Sequence, residues 1–239
     1  MAPANMIDGD ARRLILIGDH ASNHVPDDIA LGIPEMLLTQ HVAIDIGVAP
    51  LAQAICARFG CAGYLGPVSR LVIDLNREID APGLIPERSD GYEIPGNQDL
   101  SQAAHAARVT RWWQPYHDAI AARIARERPR LLISLHSFTP ALATCDKPRP
   151  WEVGLLYNND DRGARIAIPL LEAQGVVTGD NLPYSGKLLN ASVNRHAEEN
   201  GLAYLNFEVR QDLIADPAGV ARWTEILAPV ISRTVEILA

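Results

Sequence analysis

The sequence predicts an α/β fold, in which buried strands of a sheet alternate with helices that pack on its faces. Short apolar runs separated by longer amphipathic stretches recur along most of the chain. The hydrophobic and charged fractions, 48% and 21%, are typical of a globular protein and argue against global disorder. With 239 residues and no repeat or long linker, the chain is expected to form one domain over residues 1–239.

The predicted strands are apolar runs, which cover residues 14–17, 62–65, 71–75, 131–134, 153–157 and 204–209. The first helix is predicted to have Asp45 as its cap and to end at Gly60. Ser101 is predicted to begin a long helix that extends to about Glu127, with a bend where Pro115 lacks a backbone N–H. Two further helices are expected over residues 162–174 and 217–238.

Three long irregular segments follow predicted strands or a strand–turn unit, and they cover residues 78–99, 137–151 and 179–188. Loops of this length in a compact domain are usually lids, binding loops or disordered segments. Open α/β sheets bind their ligands beyond the carboxyl ends of the strands. We therefore expect the chemistry of the protein in these loops and at the neighbouring strand ends.

Charge and apolar patterning exclude several classes of protein. The formal net charge is −8, so no excess of cations is available to neutralise phosphates, and neither nucleic acid nor a membrane surface is an expected partner. No apolar run approaches the roughly 20 residues that cross a bilayer, and the first residues do not resemble a signal peptide. The cysteines at 56, 61 and 145 lack metal-site spacing. These features predict a soluble cytoplasmic protein.

Two histidines stand at the ends of predicted strands. His20 follows the first apolar run, and His136 ends the run that begins at position 131. Two strand-end imidazoles in a parallel sheet can point into one crevice, and neutral imidazole is a common ligand of zinc. The alternative for His20 is a polar turn in which Asp19 or Asn23 caps the next segment. The helical histidines are expected to face solvent: His105, His117 and His196.

Residues 69–77 have the sequence Ser-Arg-Leu-Val-Ile-Asp-Leu-Asn-Arg, which places Asn76 beside Arg77 after an apolar run. A guanidinium binds a carboxylate through two parallel hydrogen bonds, and an amide can add a further donor. The segment therefore predicts a receptor for a carboxylate. The alternative is a structural salt bridge from Arg77 to a nearby acidic residue, such as Asp74.

Glu208 closes the last predicted strand. A glutamate at this point could be a general base that activates water bound to a metal held by the histidines. The alternative is a structural pair with Arg210, because residues two apart on a strand share one face. Since several strand ends each present a histidine, an Asn-Arg pair or a glutamate, we expect one crevice to collect them.

In order and type, these residues resemble the site of the zinc carboxypeptidase and aspartoacylase superfamily, and more closely that of the N-formylglutamate amidohydrolase family. The resemblance covers residues 14–212 and implies a three-layer α/β/α sandwich with a mixed twisted sheet, phosphorylase/hydrolase-like and of the zinc-peptidase type. The motifs that carry it are His20, Arg70, Asp-Leu-Asn-Arg at 74–77, Leu-His-Ser at 135–137, Asn-Leu-Pro-Tyr-Ser-Gly at 181–186 and Phe-Glu-Val-Arg at 207–210.

The resemblance implies that His20 and His136 bind one zinc ion, or another divalent metal in its place. Glu208 would be the base that deprotonates water and later protonates the leaving amine. The superfamily has a glutamate ligand three positions after the first histidine, where this chain has Asn23. Asn23 is thus the third ligand by position, but an amide is a poorer zinc ligand than a carboxylate. The alternatives for the third ligand are Asp19, His24 and Asp45.

The resemblance also implies a substrate site. Arg70 would polarise the scissile carbonyl and stabilise the oxyanion, while Asn76 and Arg77 would hold the α-carboxylate. Tyr184, in a mobile loop, would close over the substrate. A dianionic substrate would need a further cation, for which the chain offers Arg210 and Lys187.

Together these residues predict a metal-dependent hydrolase of a small N-acyl amino acid, best represented by N-formyl-L-glutamate, which would yield formate and L-glutamate. The expected partner is this small anionic substrate, and the protein is expected to be a monomer or homodimer. One alternative is a metallo-carboxypeptidase-like peptidase, and another is a non-catalytic binding protein with the same fold. Nucleotide binding and serine catalysis are disfavoured, because the chain lacks Gly-x-Gly-x-x-Gly and Gly-x-Ser-x-Gly motifs.

Overall fold

Most of the apolar runs form strands of one sheet in the computed structural model, which describes residues 4–238. The two shortest strands, β4 and β5, form a separate hairpin, and the other seven form the central sheet. The strands are β1 (Asn5–Ile7), β2 (Asp10–Gly18), β3 (Cys61–Leu65), β4 (Arg88–Ser89), β5 (Tyr92–Glu93), β6 (Leu131–Phe138), β7 (Val153–Leu156), β8 (Thr178–Asp180) and β9 (Tyr204–Arg210).

The central sheet is mixed, with the strand order β1-β3-β2-β6-β9-β7-β8. Strands β3, β2, β6 and β9 are parallel to their neighbours within this group. In contrast, β1 runs antiparallel to β3, and β7 runs antiparallel to β9. The carboxyl ends of β2, β6 and β9 therefore lie side by side at one edge of the sheet.

Helices cover both faces of this sheet. One buried core lies between the sheet and α1, α4 and α6, and it contains Leu16, Phe207 and Trp223. A second core on the opposite face contains Ile17 and Tyr116, from α3. The predicted three-layer α/β/α sandwich is confirmed. The helices are α1 (Val48–Phe59), α2 (Gln102–Arg108), α3 (Gln114–Glu127), α4 (Arg162–Glu172), α5 (Ala191–His196) and α6 (Pro217–Leu238). Among the described residues, we find no helix with the length and apolar character that a membrane crossing requires.

The long helix predicted from Ser101 is interrupted close to the expected place. Ser101 caps α2, since its side chain accepts a hydrogen bond from the backbone N–H of Ala104 at 3.2 Å. The backbone then forms a wider π-helical turn over Val109–Trp113, and Pro115 follows near the start of α3. Because Pro115 has no N–H to donate to the preceding turn, the regular hydrogen-bond pattern is interrupted there and resumes in α3.

The predicted strand over residues 71–75 is wrong, because this segment forms turns. Its carbonyl groups bond to side chains instead of to a neighbouring strand. Asn97 Nδ2 donates to the Leu71 carbonyl at 2.8 Å, and Arg108 Nη1 donates to the Val72 carbonyl at 2.9 Å. The apolar side chains of the segment are buried all the same, which explains why its pattern is that of an interior strand.

The start of α1 also differs from the prediction. Asp45 does not cap the helix, which begins at Val48 after Gly47. Gly47 has a φ of +82°, and a Cβ at this position would lie 2.2 Å from the carbonyl oxygen of Ile214. Only glycine fits both the left-handed backbone and this close approach.

The expectation that the helical histidines face solvent is wrong for two of them. His117 and His196 are only 4% and 2% exposed. His117 Nε2 donates to the Leu75 carbonyl at 3.0 Å, so its Nδ1 accepts from His196 Nε2 at 2.8 Å. Burial lowers the pKa of His117 to about 4 and that of His196 to about 3. Both imidazoles are therefore neutral at neutral pH.

Candidate active site

One cleft, with a volume of about 390 Å³, opens at the carboxyl ends of β2, β6 and β9. His20 follows β2, His136 lies in β6 and Glu208 lies in β9, and all three line the cleft. His136 and Glu208 are register partners on adjacent parallel strands. The fold thus brings together the three strand-end residues that the sequence singles out.

His20, Asp45 and His136 form a buried group in which one possible ligand atom from each lies within 4.8 Å of the others. The Nδ1 atoms of both imidazoles face the same oxygen, Asp45 Oδ2, at 3.4 Å from His20 and 3.0 Å from His136. The two ring centroids are 5.2 Å apart. Two imidazoles and one carboxylate form a common donor set of catalytic zinc sites, which leave a further position for water or substrate.

Each imidazole is held on its other side by a second carboxylate. His20 Nε2 donates to Asp74 Oδ1 at 2.6 Å, and His136 Nε2 lies 3.4 Å from Asp19 Oδ2. The phenolic hydroxyl of Tyr116 donates to the other oxygen of Asp19 at 2.8 Å. A carboxylate behind a metal-binding histidine fixes the orientation of the ring and keeps the proton on its far nitrogen.

The buried group fits a metal cation. His20 Nδ1 is buried and has no hydrogen-bond partner within residues 4–238, although buried polar atoms are normally paired. Burial alone would raise the pKa of Asp45, but His20, His136 and Arg70 together hold that pKa well below its usual range. Asp45 is therefore ionised. A divalent metal would satisfy the unpaired nitrogen, and the nitrogen and oxygen donors suit zinc.

The structure does not bring Asn23 into this group, so its assignment as the third ligand is corrected. Asn23 and the neighbouring His24 are both exposed on the loop that follows β2. Asp45, from the loop before α1, stands in the third position instead. Spacing within one loop could not reveal this, because the carboxylate comes from a different loop.

Glu208 is buried beside the group, and its Oε2 has no hydrogen-bond partner among the residues that the structure describes. Burial raises the pKa of Glu208 to about 7. A carboxyl group with a pKa near neutrality can both accept and return a proton at physiological pH. The position and the pKa of Glu208 suit a general base.

Arg210 does not reach the cleft, which corrects its expected role in substrate binding. Its Nε donates to Asp212 Oδ1 at 2.8 Å, so the alternative pair with Glu208 is not formed either. Lys187 is exposed and is also absent from the cleft wall. Residues two apart on a strand share one face, which would pair Arg210 with Glu208. This pairing does not form, because β9 ends at Arg210 and the side chain turns to Asp212 instead.

Arg70 lies between the buried group and the cleft. Its Nη1 is 3.1 Å from Asp45 Oδ1, and its Nη2 is 3.6 Å from Asp74 Oδ2. The side chain remains 28% exposed and lines the cleft. A guanidinium held in this way can stabilise negative charge that develops on a substrate oxygen.

Asn76 and Arg77 line the cleft next to Arg70. Asn76 Oδ1 accepts from the backbone N–H of Ser192 at 3.0 Å, which leaves the NH₂ group of Asn76 as a donor. Arg77 Nε lies 3.6 Å from Asp74 Oδ2, yet 37% of the Arg77 side chain is exposed. Arg77 therefore forms the predicted salt bridge with Asp74 and still has a guanidinium edge that is available to a carboxylate.

Tyr184 lines the cleft from the segment between β8 and α5. The guanidinium carbon of Arg149 lies 4.7 Å from the centroid of its ring, within the range of a cation–π contact. Burial raises the pKa of Tyr184, so its hydroxyl stays protonated at neutral pH. Two of the long loops predicted to bind ligand thus meet over the cleft.

Asn206 also lines the cleft, although no predicted role falls on this residue. It lies on β9 two residues before Glu208 and is 2% exposed. Its Nδ2 donates to Asn190 Oδ1 at 2.8 Å, while its own Oδ1 has no partner among the described residues. The sequence signal for Asn206 is a polar residue on the same strand face as the glutamate.

Comparisons with known proteins found a matching family and similar solved structures. The sequence model of the N-formylglutamate amidohydrolase family matches residues 12–215. The solved structure of gene product Atu2144 from Agrobacterium tumefaciens is similar, with a TM-score of 0.90 and 30% identity over 99% of this chain and 93% of that chain. N-formylglutamate amidohydrolase from Ralstonia eutropha JMP134 has a TM-score of 0.76 and 22% identity over 100% of this chain and 98% of that chain, which shows a shared fold. None of the curated proteins matches this chain.

Proposed function

Because this chain belongs to the N-formylglutamate amidohydrolase family, we propose that it hydrolyses N-formyl-L-glutamate to formate and L-glutamate with the help of a metal. Family membership makes it an amide-cleaving hydrolase. The observation that carries the proposal is the buried group of His20, Asp45 and His136 with Glu208 beside it in the same cleft. Amide hydrolysis needs a polarised carbonyl, an activated water and a proton for the leaving amine.

His20, Asp45 and His136 would hold the metal, for which we propose zinc. When bound, the metal supplies a Lewis acid for the carbonyl oxygen and lowers the pKa of a water molecule. Asp74 and Asp19 contribute indirectly, because they orient the two imidazoles from behind.

Glu208 transfers a proton from the attacking water to the leaving nitrogen. The Glu208 carboxylate, which lines the cleft, accepts a proton from the attacking water as the water oxygen bonds to the formyl carbon. The same carboxyl returns this proton to the nitrogen as the C–N bond breaks, so L-glutamate leaves with a neutral amino group that is protonated in solution. Arg70 stabilises the negative charge that the carbonyl oxygen develops between these two events.

Further polar groups of the cleft would bind the two carboxylates of the substrate. Arg77 and the free NH₂ of Asn76 bind the α-carboxylate. Arg88 also lines the cleft, where it pairs with Glu93, and it would offer a second cation for the side-chain carboxylate. Tyr184 covers the bound substrate from its loop.

The proposal is tested by measuring formate release from N-formyl-L-glutamate with zinc-loaded protein and with the Glu208→Gln variant. We expect wild-type turnover and a loss of roughly a hundredfold to ten-thousandfold in kcat for the variant, because glutamine cannot accept the proton. Melting temperature and zinc content should stay unchanged. Glu199→Gln makes the same chemical change at an exposed position and should retain wild-type kcat.

A Glu208→Gln variant with a near wild-type rate would contradict this mechanism. Cleavage of dipeptides in place of N-formyl-L-glutamate would favour the peptidase, and binding of either ligand without turnover would favour a binding protein.

A further inference from the structure

His41 lines the same cleft, yet the proposed reaction gives this histidine no role. Its Nε2 lies 2.9 Å from Asp90 Oδ2, and 25% of its side chain is exposed. Its other nitrogen, Nδ1, has no hydrogen-bond partner within residues 4–238. In contrast to the unpaired nitrogens of His20 and His136, this Nδ1 is not fully enclosed by protein. The imidazole of His41 is therefore accessible to a ligand.

Asp90 determines which nitrogen of His41 is free. Although burial opposes it, hydrogen bonds from Thr144, Ala143 and His41 hold the pKa of Asp90 below its usual range. An ionised carboxylate can only accept hydrogen bonds, so His41 Nε2 is the donor. Asp90 also accepts from Thr144 Oγ1 at 2.7 Å and from the backbone N–H groups of Thr144 and Ala143 at 3.2 and 3.0 Å. These bonds occupy the carboxylate, which therefore orients His41 rather than binding a ligand itself.

His41 belongs to the same turn as Asp45 of the buried group. Ser69 Oγ donates to the carbonyl of Ala43 at 2.8 Å, which anchors this turn between the two residues. Four residues of chain span at most about 14 Å. When the scissile amide of a small substrate lies at the buried group, His41 is thus placed to contact the far end of the same molecule.

We propose that His41 binds the side-chain carboxylate of the substrate through Nδ1 and so selects substrates that have two carboxylates. This inference rests on the proposed hydrolysis of N-formyl-L-glutamate. An imidazole between this carboxylate and that of Asp90 carries a proton on each nitrogen and donates to both. Arg88 is 76% exposed, and its guanidinium already has a carboxylate partner in Glu93. Arg88 therefore assists at this end of the cleft, and His41 is the oriented donor.

The structural alternative is that His41 only ties loops together. Through Asp90, His41 joins the turn before α1 to the segment that contains Ala143 and Thr144. A purely structural histidine would affect all substrates to the same extent. A receptor for the side-chain carboxylate would affect only the substrates that have one.

The test compares formate release from N-formyl-L-glutamate and from N-formyl-L-glutamine, which has a similar shape but an uncharged side chain. For each protein, kcat/KM for the first compound is divided by kcat/KM for the second. We expect His41→Gln to lower this ratio about tenfold, because a charge-assisted hydrogen bond is lost while glutamine can still donate to Asp90. His105→Gln makes the same change on α2, outside the cleft, and should leave the ratio unchanged.

Equal losses on both compounds in His41→Gln, or an unchanged ratio, would overturn the proposal. If this variant does not fold, His41→Phe keeps a ring of similar size without nitrogen, and the same ratio decides. If the glutamine compound is cleaved too slowly to measure, its inhibition constant replaces its kcat/KM and is compared with KM for the glutamate compound. Absence of wild-type activity on both compounds would contradict the proposed function itself, which keeps the two failures distinguishable.

Discussion

The position of one proton decides whether His20 can bind a metal. Because His20 Nε2 donates to Asp74, the proton is on Nε2, and the Nδ1 lone pair is directed at Asp45. His136 differs, because its Nδ1 donates to Asp45 Oδ2 at 3.0 Å, while its Nε2, 3.4 Å from Asp19, has no hydrogen-bond partner among the described residues. His20 thus presents the tautomer that a metal requires, and a metal would displace the Nδ1 proton of His136.

The charge balance around these rings also favours a cation. Asp19, Asp45 and Asp74 are buried together, and the pKa of each is held below its usual range despite the opposing effect of burial. The guanidinium closest to them is that of Arg70, which contacts Asp45 and Asp74. Although burial opposes it, Asp74 and Asp45 raise the pKa of His20, and Asp19 and Asp45 raise that of His136. The carboxylates therefore favour positive charge on the two imidazoles, and a divalent metal would take the place of these protons.

Metal content distinguishes Asp45 from Asn23 as the third ligand. We expect about one zinc per chain in wild-type protein purified without chelator, and a large loss of zinc in Asp45→Ala. Asn23→Ala should retain the wild-type content, because Asn23 is exposed and away from the group. Elemental analysis measures the zinc content of the three proteins, and their melting temperatures serve as a control for folding. Zinc lost from Asn23→Ala and kept in Asp45→Ala would contradict the assignment.

At the scale of elements, the turn before α1 supplies the carboxylate of the buried group formed by His20, Asp45 and His136. Asp45 is followed by Gly47, whose left-handed conformation starts the helix against the carbonyl of Ile214. The helix therefore begins after Asp45 and leaves its carboxylate free. If Asp45 capped α1, its oxygens would bind backbone N–H groups of the first turn.

Substitution of Gly47 should disturb both stability and the site. In Gly47→Ala, the alanine must adopt a left-handed φ, which costs roughly 1 kcal/mol or more. Its Cβ would also clash with the Ile214 carbonyl. Gly60→Ala is the matched control at the other end of α1, because its φ is +64° but no atom lies within 4 Å of the added Cβ. Urea unfolding should show a larger loss for Gly47→Ala, and zinc affinity should fall in that variant alone. Equal losses of stability and unchanged zinc affinity in both would contradict this account.

At the scale of the whole molecule, the core opposite α1 and α6 contains an ionisable pair. His117 on α3 and His196 on α5 join two elements that pack on this face of the sheet, and the carbonyl of Leu75 completes the contact. Burial keeps both rings neutral. Protonation of either ring would place a charge in a region that excludes water.

This pair should make the fold sensitive to acid. Its pKa values of about 4 and about 3 lie below the ordinary value of 6.5, so the unfolded chain binds more protons as the pH falls below 6.5. The free energy of unfolding is therefore unaffected by the pair above about pH 6.5 and falls as the pH decreases. At pH 5 the loss is about 2 kcal/mol per histidine.

Urea unfolding at about pH 7.5 and pH 5 checks this prediction in wild type and His196→Gln. Glutamine can still donate from Nε2 but does not titrate, so the variant should lose about 2 kcal/mol less than wild type between the two pH values. His105→Gln replaces a histidine that is not buried and should behave as wild type does. An identical loss in wild type and His196→Gln would show that the buried pair is not responsible.

Local sequence patterns determined much of this protein. Alternating apolar runs and amphipathic stretches specified most of the sheet strands and the long helices, because burial follows the period of each element. Parallel strands end at one edge, so the strand-end positions of His20, His136 and Glu208 were enough to predict that they share one crevice. The strand predicted over residues 71–75 was wrong because burial by loops leaves the same apolar pattern as burial in a sheet.

Only the tertiary structure decided which loop completes the buried group of His20 and His136 and which guanidinium groups line the cleft. Asp45 and Asn23 are both polar residues in loops, and the turn at Gly47 brings Asp45 rather than Asn23 to the histidines. Arg210 has acidic neighbours along the chain and binds Asp212 outside the cleft. Short-range periodicity specifies which side of an element is buried, whereas contacts between distant loops depend on how the whole chain packs.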